Sequence, residues 1–160
     1  MDTLHHIRFN RWATALTIES VRPLTPEEFD RPIGGSYGTL RGTLAHIYMG
    51  DQIWWARLQG RPTGALSEYE PPADFAAWEQ EWLALLDRYI DWAQTTKWDQ
   101  VISYRDIAGN PYQSPIWQIL LHLTNHGSYH RGQVSNMLRQ LGHTPAKQDL
   151  IVYYRAHQSD

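Results

Sequence analysis

Two histidines interrupt the apolar stripe of the longest helix that this sequence predicts. The stripe recurs at spacings of three and four, as on the buried face of an amphipathic helix, and comprises Ile116, Ile119, Leu123, His126, His130, Val134, Met137 and Leu141. Leu or Ile normally fills such positions, because a buried imidazole costs free energy unless its nitrogens find partners. His126 and His130 lie one turn apart, and two imidazoles at that spacing can chelate one metal ion. The stripe therefore predicts both a buried helix and a candidate metal site.

Three other segments repeat apolar residues at helical spacing. The first covers roughly residues 4–21, and the second covers about residues 37–59, where Gly60 and Pro62 end it. The third opens at Asp74 and is the most regular of the chain. With the segment that holds the two histidines, the chain has four long amphipathic helices.

The first connection contains a short helix. Thr25, Pro26 and Glu28 form the pattern of a capped helix start, and Pro32 limits this helix to about one turn. The later connection, residues 61–72, is polar and rich in proline and glycine, which predicts a loop.

The residues before the last long helix do not follow a helical pattern, and the end of that helix is clearly marked. Residues 98–114 change to an alternating period, which predicts a small hairpin or extended excursion. Ser114 and Pro115 predict the N-cap and first residue of the helix, and Gly142 ends it. The tail, residues 149–155, is expected to pack back on the other helices. The predicted fold is all-α, a four-helix bundle with a hairpin or irregular excursion before the last long helix.

Length and composition narrow the possible functions. The 160 residues predict one domain, residues 1–160. A formal net charge of -3 without a basic stripe disfavours nucleic acid as a partner. Neither a leader nor an apolar run of ~20 residues is present, so we expect a cytoplasmic protein with a small-molecule substrate and no membrane partner. Because the chain has no cysteine, thiol chemistry would need a thiol cosubstrate.

We do not expect five of the eight histidines to bind a metal. Four lie in a first helical turn, after a helix stop or in the tail, where we expect them to be solvated: His5, His6, His143 and His157. His122 stands four residues before His126, but it is displaced by about 100° from its neighbour Leu123 in the apolar stripe. We expect His122 to support the site or a neighbouring helix through a hydrogen bond.

A third ligand is needed because two imidazoles hold a divalent ion poorly. His46 is the only remaining histidine inside a predicted long helix, and Gly42 and Gly50 could make room for a cavity above the metal. We therefore predict a metal site of His46, His126 and His130. The alternative is that all three are core histidines, hydrogen-bonded to tyrosine, aspartate or backbone partners.

Three neutral ligands would leave the ion its full charge and at least one open coordination position. Imidazole suits zinc, nickel, iron or copper. Such a site can lower the pKa of a bound water toward about 7, or stabilise an anionic oxygen or thiolate. Gly127 and Gly132 flank the ligand pair and could allow close helix approach. Four further residues are near enough to orient ligands or substrate, although ordinary packing roles suit them equally: Asp51, Asn125, Tyr129 and Gln133.

Two motifs resemble those of the DinB/YfiT-like family of metal-dependent proteins. Residues 125–133, Asn-His-Gly-Ser-Tyr-His-Arg-Gly-Gln, have the family's NH-x3-HRGQ pattern, and residues 43–47, Thr-Leu-Ala-His-Ile, resemble its second motif. The likeness extends to residues 54–55, residues 10–12 and residues 138–145, and so to nearly the whole chain.

The resemblance implies a four-helix bundle, commonly a homodimer, with zinc or nickel held by His46, His126 and His130. Characterised members use low-molecular-weight thiols: some transfer bacillithiol to electrophiles, and related mycothiol-dependent enzymes isomerise or conjugate. The resemblance thus implies a metal-dependent thiol S-transferase whose metal binds the cofactor thiol as a thiolate. A metal-dependent hydrolase, a non-catalytic metal-stabilised stress-response or binding module, and a metal-free dimeric scaffold are the alternatives. No catalytic residue is assigned by the sequence.

Overall fold

Four long helices dominate the structure, a computed structural model that describes residues 3–64 and 74–157. The long helices are α1 (Thr3–Val21), α3 (Leu40–Leu58), α4 (Phe75–Thr95) and α5 (Ile116–Gln140). The shorter elements are α2 (Pro26–Asp30), the strands β1 (Val101–Arg105) and β2 (Pro111–Pro115), and α6 (Leu150–Ala156).

The long helices form a bundle in which each packs against two others. α5 lies between α1 and α3, and α4 contacts the same two helices from the other side. A continuous cluster of buried apolar side chains fills the space between them, and its largest members are Trp78, Trp82 and Tyr89 of α4. The predicted all-α four-helix bundle is confirmed.

Helix α3, which carries His46, begins three residues later than the sequence indicates. Its N-cap is Thr39, whose side chain accepts a hydrogen bond from the N–H of Gly42 at 2.9 Å. Tyr37 and Gly38 belong to the preceding turn, where Gly38 has a φ of 73°. The predicted capping box before α2 is present, with Thr25 and Glu28 bonded reciprocally.

The start of α5 corrects the prediction that Ser114 is its N-cap. Ser114 belongs to β2, and its hydroxyl is 3.2 Å from that of Tyr104 on the paired strand. The first N–H groups of α5 donate instead to the backbone, from Ile116 to the carbonyl of Gln100 at 2.9 Å and from Trp117 to that of Trp98 at 2.9 Å. The backbone just before β1 therefore takes over the role that a capping side chain would have had.

The remaining connections agree with the sequence where the structure describes them. β1 and β2 pair antiparallel, which confirms the predicted hairpin. Helix α6 packs on α1 through Tyr153, whose ring lies 5.8 Å from Phe9 and 5.5 Å from Trp12. Most of the predicted loop, residues 65–72, lies outside the described residues. None of the described helices has the length and apolar character that crossing a membrane would require.

Candidate metal centre

His46 on α3 meets His126 and His130 on α5 at the contact between the two helices. Their candidate ligand nitrogens all lie within 4.8 Å of one another. Nε2 of His46 and Nε2 of His126 are 3.0 Å apart, and the three ring centroids are separated by 4.5 to 4.9 Å. The structure thus brings together the three side chains that the sequence selects.

Burial keeps two of these rings, those of His46 and His126, in their neutral form. It lowers the pKa of His46 to about 4, and the neighbouring His130 adds to the effect. Burial also lowers the pKa of His126 to about 3, with further contributions from the other histidines and Arg131. Near pH 7 both imidazoles therefore have an unprotonated nitrogen, which is the form that binds metals.

Gln133 fixes the orientation of the third ring. Nδ1 of His130 is 2.9 Å from Oε1 of Gln133, one turn further along α5. Because an amide oxygen only accepts, the imidazole proton is on Nδ1, and Nε2 is left with its lone pair. His130 is itself only 6% exposed. Gln133 therefore orients the ring of His130, as its position in the sequence suggested.

Two tyrosines flank the histidine cluster. The ring of Tyr37 stacks on His46, with centroids 4.0 Å apart and planes 17° apart, and it meets His130 edge-on at 5.6 Å. Tyr129 meets His130 edge-on at 4.9 Å and is 66% exposed. The sequence indicated Tyr129 but missed Tyr37, because the predicted helix began at Tyr37, whereas the structure places this residue in the turn that folds over His46. A lone aromatic residue among Gly34, Gly35 and Gly38, just ahead of the His46 helix, was the available clue.

The two glycines near His46, which the sequence suggested could make room for a cavity, give space to other residues around the histidine cluster. A Cβ on Gly50 would stand 3.0 Å from Cε1 of His126, so this glycine makes room for the ligand ring. A Cβ on Gly42 would collide with the carbonyl oxygen of Tyr37. Gly42 therefore lets the turn that carries Tyr37 approach α3.

The glycines that flank the ligand pair on α5 behave differently from each other. A Cβ on Gly127 would be 2.5 Å from Oδ1 of Asn10 and 2.5 Å from Nη1 of Arg131. Gly127 thus permits the close contact with α1 that the sequence predicts. A Cβ on Gly132 would meet nothing within 4 Å, so the same prediction is wrong for Gly132.

Two residues suggested as neighbours of the site lie elsewhere. Asp51 is buried, and its Oδ2 accepts a hydrogen bond from Nε1 of Trp82 at 2.8 Å, so it fastens α3 to α4. Asn125 is exposed and lines a cavity on another face of α5. Neither residue belongs to the histidine cluster, since their positions on the helices turn them away from it.

The histidines set aside earlier are also outside the cluster. His122 is exposed, and its contact with the neighbouring helix is aromatic, edge-on to Trp54 at 5.4 Å, where a hydrogen bond was expected. The four histidines expected to be solvated are half-buried. His143, for example, is 3.1 Å from a carboxylate oxygen of Glu28, and His157 stacks on Tyr153 at 4.3 Å.

Within residues 3–64 and 74–157, no fourth histidine, cysteine, aspartate or glutamate joins the cluster of His46, His126 and His130. No carboxylate of this part of the chain joins the three nitrogens. A metal held by them would therefore retain an open coordination position, as catalytic metal sites do.

Comparison with known sequences identifies the family. A sequence model of the DinB family matches residues 1–160. The chain belongs to the DinB family. One relative of this DinB-family chain is Protein DinB of Bacillus subtilis (strain 168), which is 25% identical over 153 residues, 91% of this chain and 89% of that protein.

A solved structure shares the fold of this DinB-family chain. It is a DinB-like protein from Bacillus cereus ATCC 10987, with a TM-score of 0.64 and 21% sequence identity, covering 85% of this chain and 90% of the other. At 21% sequence identity, this comparison shows a shared fold and no more.

Proposed function

We propose that this DinB-family chain binds a divalent metal through His46, His126 and His130 and uses it as an enzyme of thiol S-transferase type. The observation that supports the proposal most strongly is the convergence of three imidazole nitrogens from two helices within 4.8 Å. A hydrogen-bonded core accounts for pairs of histidines, but three imidazole nitrogens facing one point, with His130 buried and the other two rings half-buried, need a shared cation or protons.

The donor set fits a divalent transition metal. Two nitrogens bound to one tetrahedral zinc are about 3.3 Å apart, given Zn–N distances of about 2.0–2.1 Å, and Nε2 of His46 and of His126 are 3.0 Å apart. Neutral imidazoles suit zinc and nickel, the two metals we propose. When bound, the metal would supply a positive charge that favours the anionic form of a thiol or water at its open position.

The residues around the histidine cluster orient its rings and leave one side of it accessible. Gln133 holds the proton of His130 on Nδ1, which keeps Nε2 directed at the other two rings. Tyr37 covers one face of His46 and excludes water from it. Tyr129, by contrast, is exposed beside His130, where its hydroxyl is available to a substrate. These contacts hold the histidine rings in place and leave the cluster accessible near Tyr129.

The thiol is proposed as a separate molecule because the chain has no cysteine. A low-molecular-weight thiol would attack a small electrophile, and the sulfur would form a bond to carbon while the leaving group departs with the electron pair. A homodimeric state belongs to the same proposal, on the resemblance of the motifs, and a cytoplasmic location is proposed with it, as the sequence led us to expect.

The first experiment measures metal binding. Protein purified without a polyhistidine tag is analysed for zinc and nickel, next to the variants His46→Ala and His122→Ala. We expect about one metal per chain in the wild type and in His122→Ala, but much less in His46→Ala, because His122 lies one turn outside the cluster. Equal metal content in all three proteins would contradict the proposed site.

The second experiment tests the reaction. Metal-loaded protein is incubated with bacillithiol or cysteine and a haloarene or epoxide, and the conjugate is quantified by mass spectrometry. We expect conjugation that requires the metal and is lost in His46→Ala. Metal-dependent ester hydrolysis without conjugation would favour the hydrolase instead, and a variant that loses only thermal stability would favour a structural metal.

A further inference from the structure

A second cavity lies on the face of α5 away from the histidine cluster. It has a volume of about 830 Å³ and is enclosed by α1, α5 and the segment from His143 to Leu150. Its size falls in the range of sites that hold small organic ligands. Eight residues of α5 line it, on a face distinct from the apolar stripe: Leu121, Thr124, Asn125, Ser128, Arg131, Gly132, Ser135 and Arg139.

Hydrogen bonds fix the wall opposite α5. Oε1 of Gln148 accepts from the hydroxyl of Thr17 at 2.8 Å, and its Nε2 donates to the hydroxyl of Ser135 at 3.1 Å, so this side chain links α1 to α5. The N–H of Ala146 donates to the hydroxyl of Ser20 at 3.0 Å. The cavity is thus shaped before any ligand arrives, which reduces the entropic cost of binding.

The lining has a surplus of positive charge. Arg131, Arg139 and Lys147 contribute three cations, against the single carboxylate of Asp149, in a chain whose net charge is -3. Such a local surplus attracts anions.

The most buried of these cations is Arg131, which is 2% exposed. Its hydrogen bonds within the described residues go to neutral oxygens, at 2.7 Å to Asn10, 3.3 Å to Thr14 and 3.2 Å to Ser128. These bonds hold the guanidinium rigidly, and the buried carboxyl of Asp51 interacts with it electrostatically, so its charge is partly balanced. The exposed cations of Arg139 and Lys147 therefore carry most of the attraction for an anion in the cavity.

The same cavity also has apolar walls. Phe9 of α1, Leu121 of α5, and Pro145 and Leu150 of the closing segment line it. An inorganic anion would leave this apolar surface in contact with water, whereas a ligand with a hydrocarbon body would cover it.

We propose that this cavity is a second ligand site, which binds a small organic carboxylate with an apolar aliphatic or aromatic body. The carboxylate faces the cations of Arg139 and Lys147, and the apolar body lies against Phe9 and Leu150. The site is separate from the proposed metal centre, because the two use different faces of α5.

Gly132 offers a way to close the cavity without disturbing the fold. It lies on the lining face in the middle of α5, and an added Cβ meets nothing within 4 Å. A larger side chain at this position enters the cavity space. Replacing glycine inside a helix also favours folding by up to about 1 kcal/mol, so Gly132→Leu is expected to fold.

Calorimetric titration of the full chain tests the proposal. The probes are 4-phenylbutyrate, the uncharged 4-phenylbutanol and inorganic phosphate, each with metal-free and zinc-loaded protein. We expect 4-phenylbutyrate to bind with a Kd below about 1 mM, the alcohol to bind at least about fivefold more weakly, and phosphate not to bind. Binding is expected to disappear in Gly132→Leu, whose folding is checked by circular dichroism.

Charge variants locate the carboxylate. Arg139→Gln and Lys147→Gln are each expected to weaken binding about two- to fivefold, as for partly exposed ion pairs. Arg88→Gln on the outer surface of α4 and His46→Ala in the metal centre are expected to leave it unchanged. The His46→Ala control separates this site from the proposed enzymatic function. The metal site could be absent while 4-phenylbutyrate still binds, and 4-phenylbutyrate could fail to bind while the metal site is present.

Several outcomes would overturn the second site. These are the absence of saturable 4-phenylbutyrate binding, equal binding of the alcohol, binding that survives Gly132→Leu, or binding of phosphate in place of the organic acid. A change of molar mass in Gly132→Leu by light scattering would assign this face to contacts between copies of the chain and would equally contradict the proposal.

Discussion

At the residue scale, Gly50 of α3 fits closely against the ring of His126 on α5. In the variant Gly50→Ala the new methyl carbon would stand 3.0 Å from Cε1 of that ring, which must tilt away. We expect zinc affinity to fall about tenfold, measured by competition with a chromophoric chelator. The unfolding free energy of the metal-free protein should change little, because alanine favours the helix by about 1 kcal/mol and offsets the crowding.

Gly132→Ala is the matched control for Gly50→Ala. It makes the same substitution inside a helix, but its methyl group meets nothing within 4 Å. We expect unchanged zinc affinity and a gain of up to about 1 kcal/mol in unfolding free energy. If both variants lost the same affinity, contact with the ligand ring would not be the cause.

Gln133 provides a second prediction at this scale. Gln133→Leu removes the oxygen that accepts the Nδ1–H of His130 at 2.9 Å, so the ring loses its fixed orientation. Zinc affinity is expected to fall about 10- to 100-fold, as for other partners of ligand histidines. Gln133→Glu keeps an acceptor at the same place and should retain most of the affinity, and a loss as large as that of Gln133→Leu would exclude the orienting role.

At the scale of the elements, the two helices that carry His46, His126 and His130 begin in different ways. The side chain of Thr39 caps α3, whereas the backbone of Trp98 and Gln100 satisfies the first N–H groups of α5. Sequence patterns reveal side-chain caps but not backbone partners that are distant along the chain. For this reason the cap before α2 was predicted correctly and the one at Ser114 was not.

This difference can be measured with two alanine variants. Thr39→Ala is expected to lower the unfolding free energy by about 1 kcal/mol, because the N–H of Gly42 loses its partner. Ser114→Ala should cost at most about 0.5 kcal/mol, since it removes only the hydroxyl contact with Tyr104. Chemical denaturation gives both values, and a larger cost for Ser114→Ala would restore it as the cap of α5.

Helices α1 and α5 are tied together by residues of the family motifs. Arg131 donates to Oδ1 of Asn10 at 2.7 Å, and Gly127 leaves the space that this bond needs. Part of the motif around the ligand histidines therefore serves to dock α1 on α5. The resemblance marks these residues, but only the packing shows what they do.

At the scale of the whole molecule, Asp51 makes stability depend on pH. It is completely buried where α3 meets α4, and burial raises its pKa to about 7 from an ordinary 3.8, although Trp82 and Arg131 act in the opposite sense. The folded chain thus holds more protons than the unfolded chain between these values. This contribution is fully present below pH 3.8 and is lost as the pH rises toward 7.

Asp51→Asn isolates this contribution. Asparagine keeps an oxygen for the N–H of Trp82 but does not titrate. Relative to the variant, the wild type should lose up to about 1.4 kcal/mol of unfolding free energy per pH unit through this window. Urea denaturation of metal-free protein at several pH values measures the difference. Asp91→Asn, an exposed carboxylate on α4, is the control, and parallel curves for the wild type and Asp51→Asn would contradict the buried titration.

The sequence by itself determined the four-helix bundle and the selection of His46, His126 and His130. Both follow from periodicity, because residues three and four apart share one face of a helix wherever that helix packs. The tertiary structure decided what stands against those faces: Tyr37 over His46, Asp51 against Trp82, and the cavity beside Gly132. These contacts join residues far apart along the chain or in turns without a period, and their geometry is set only when the helices pack.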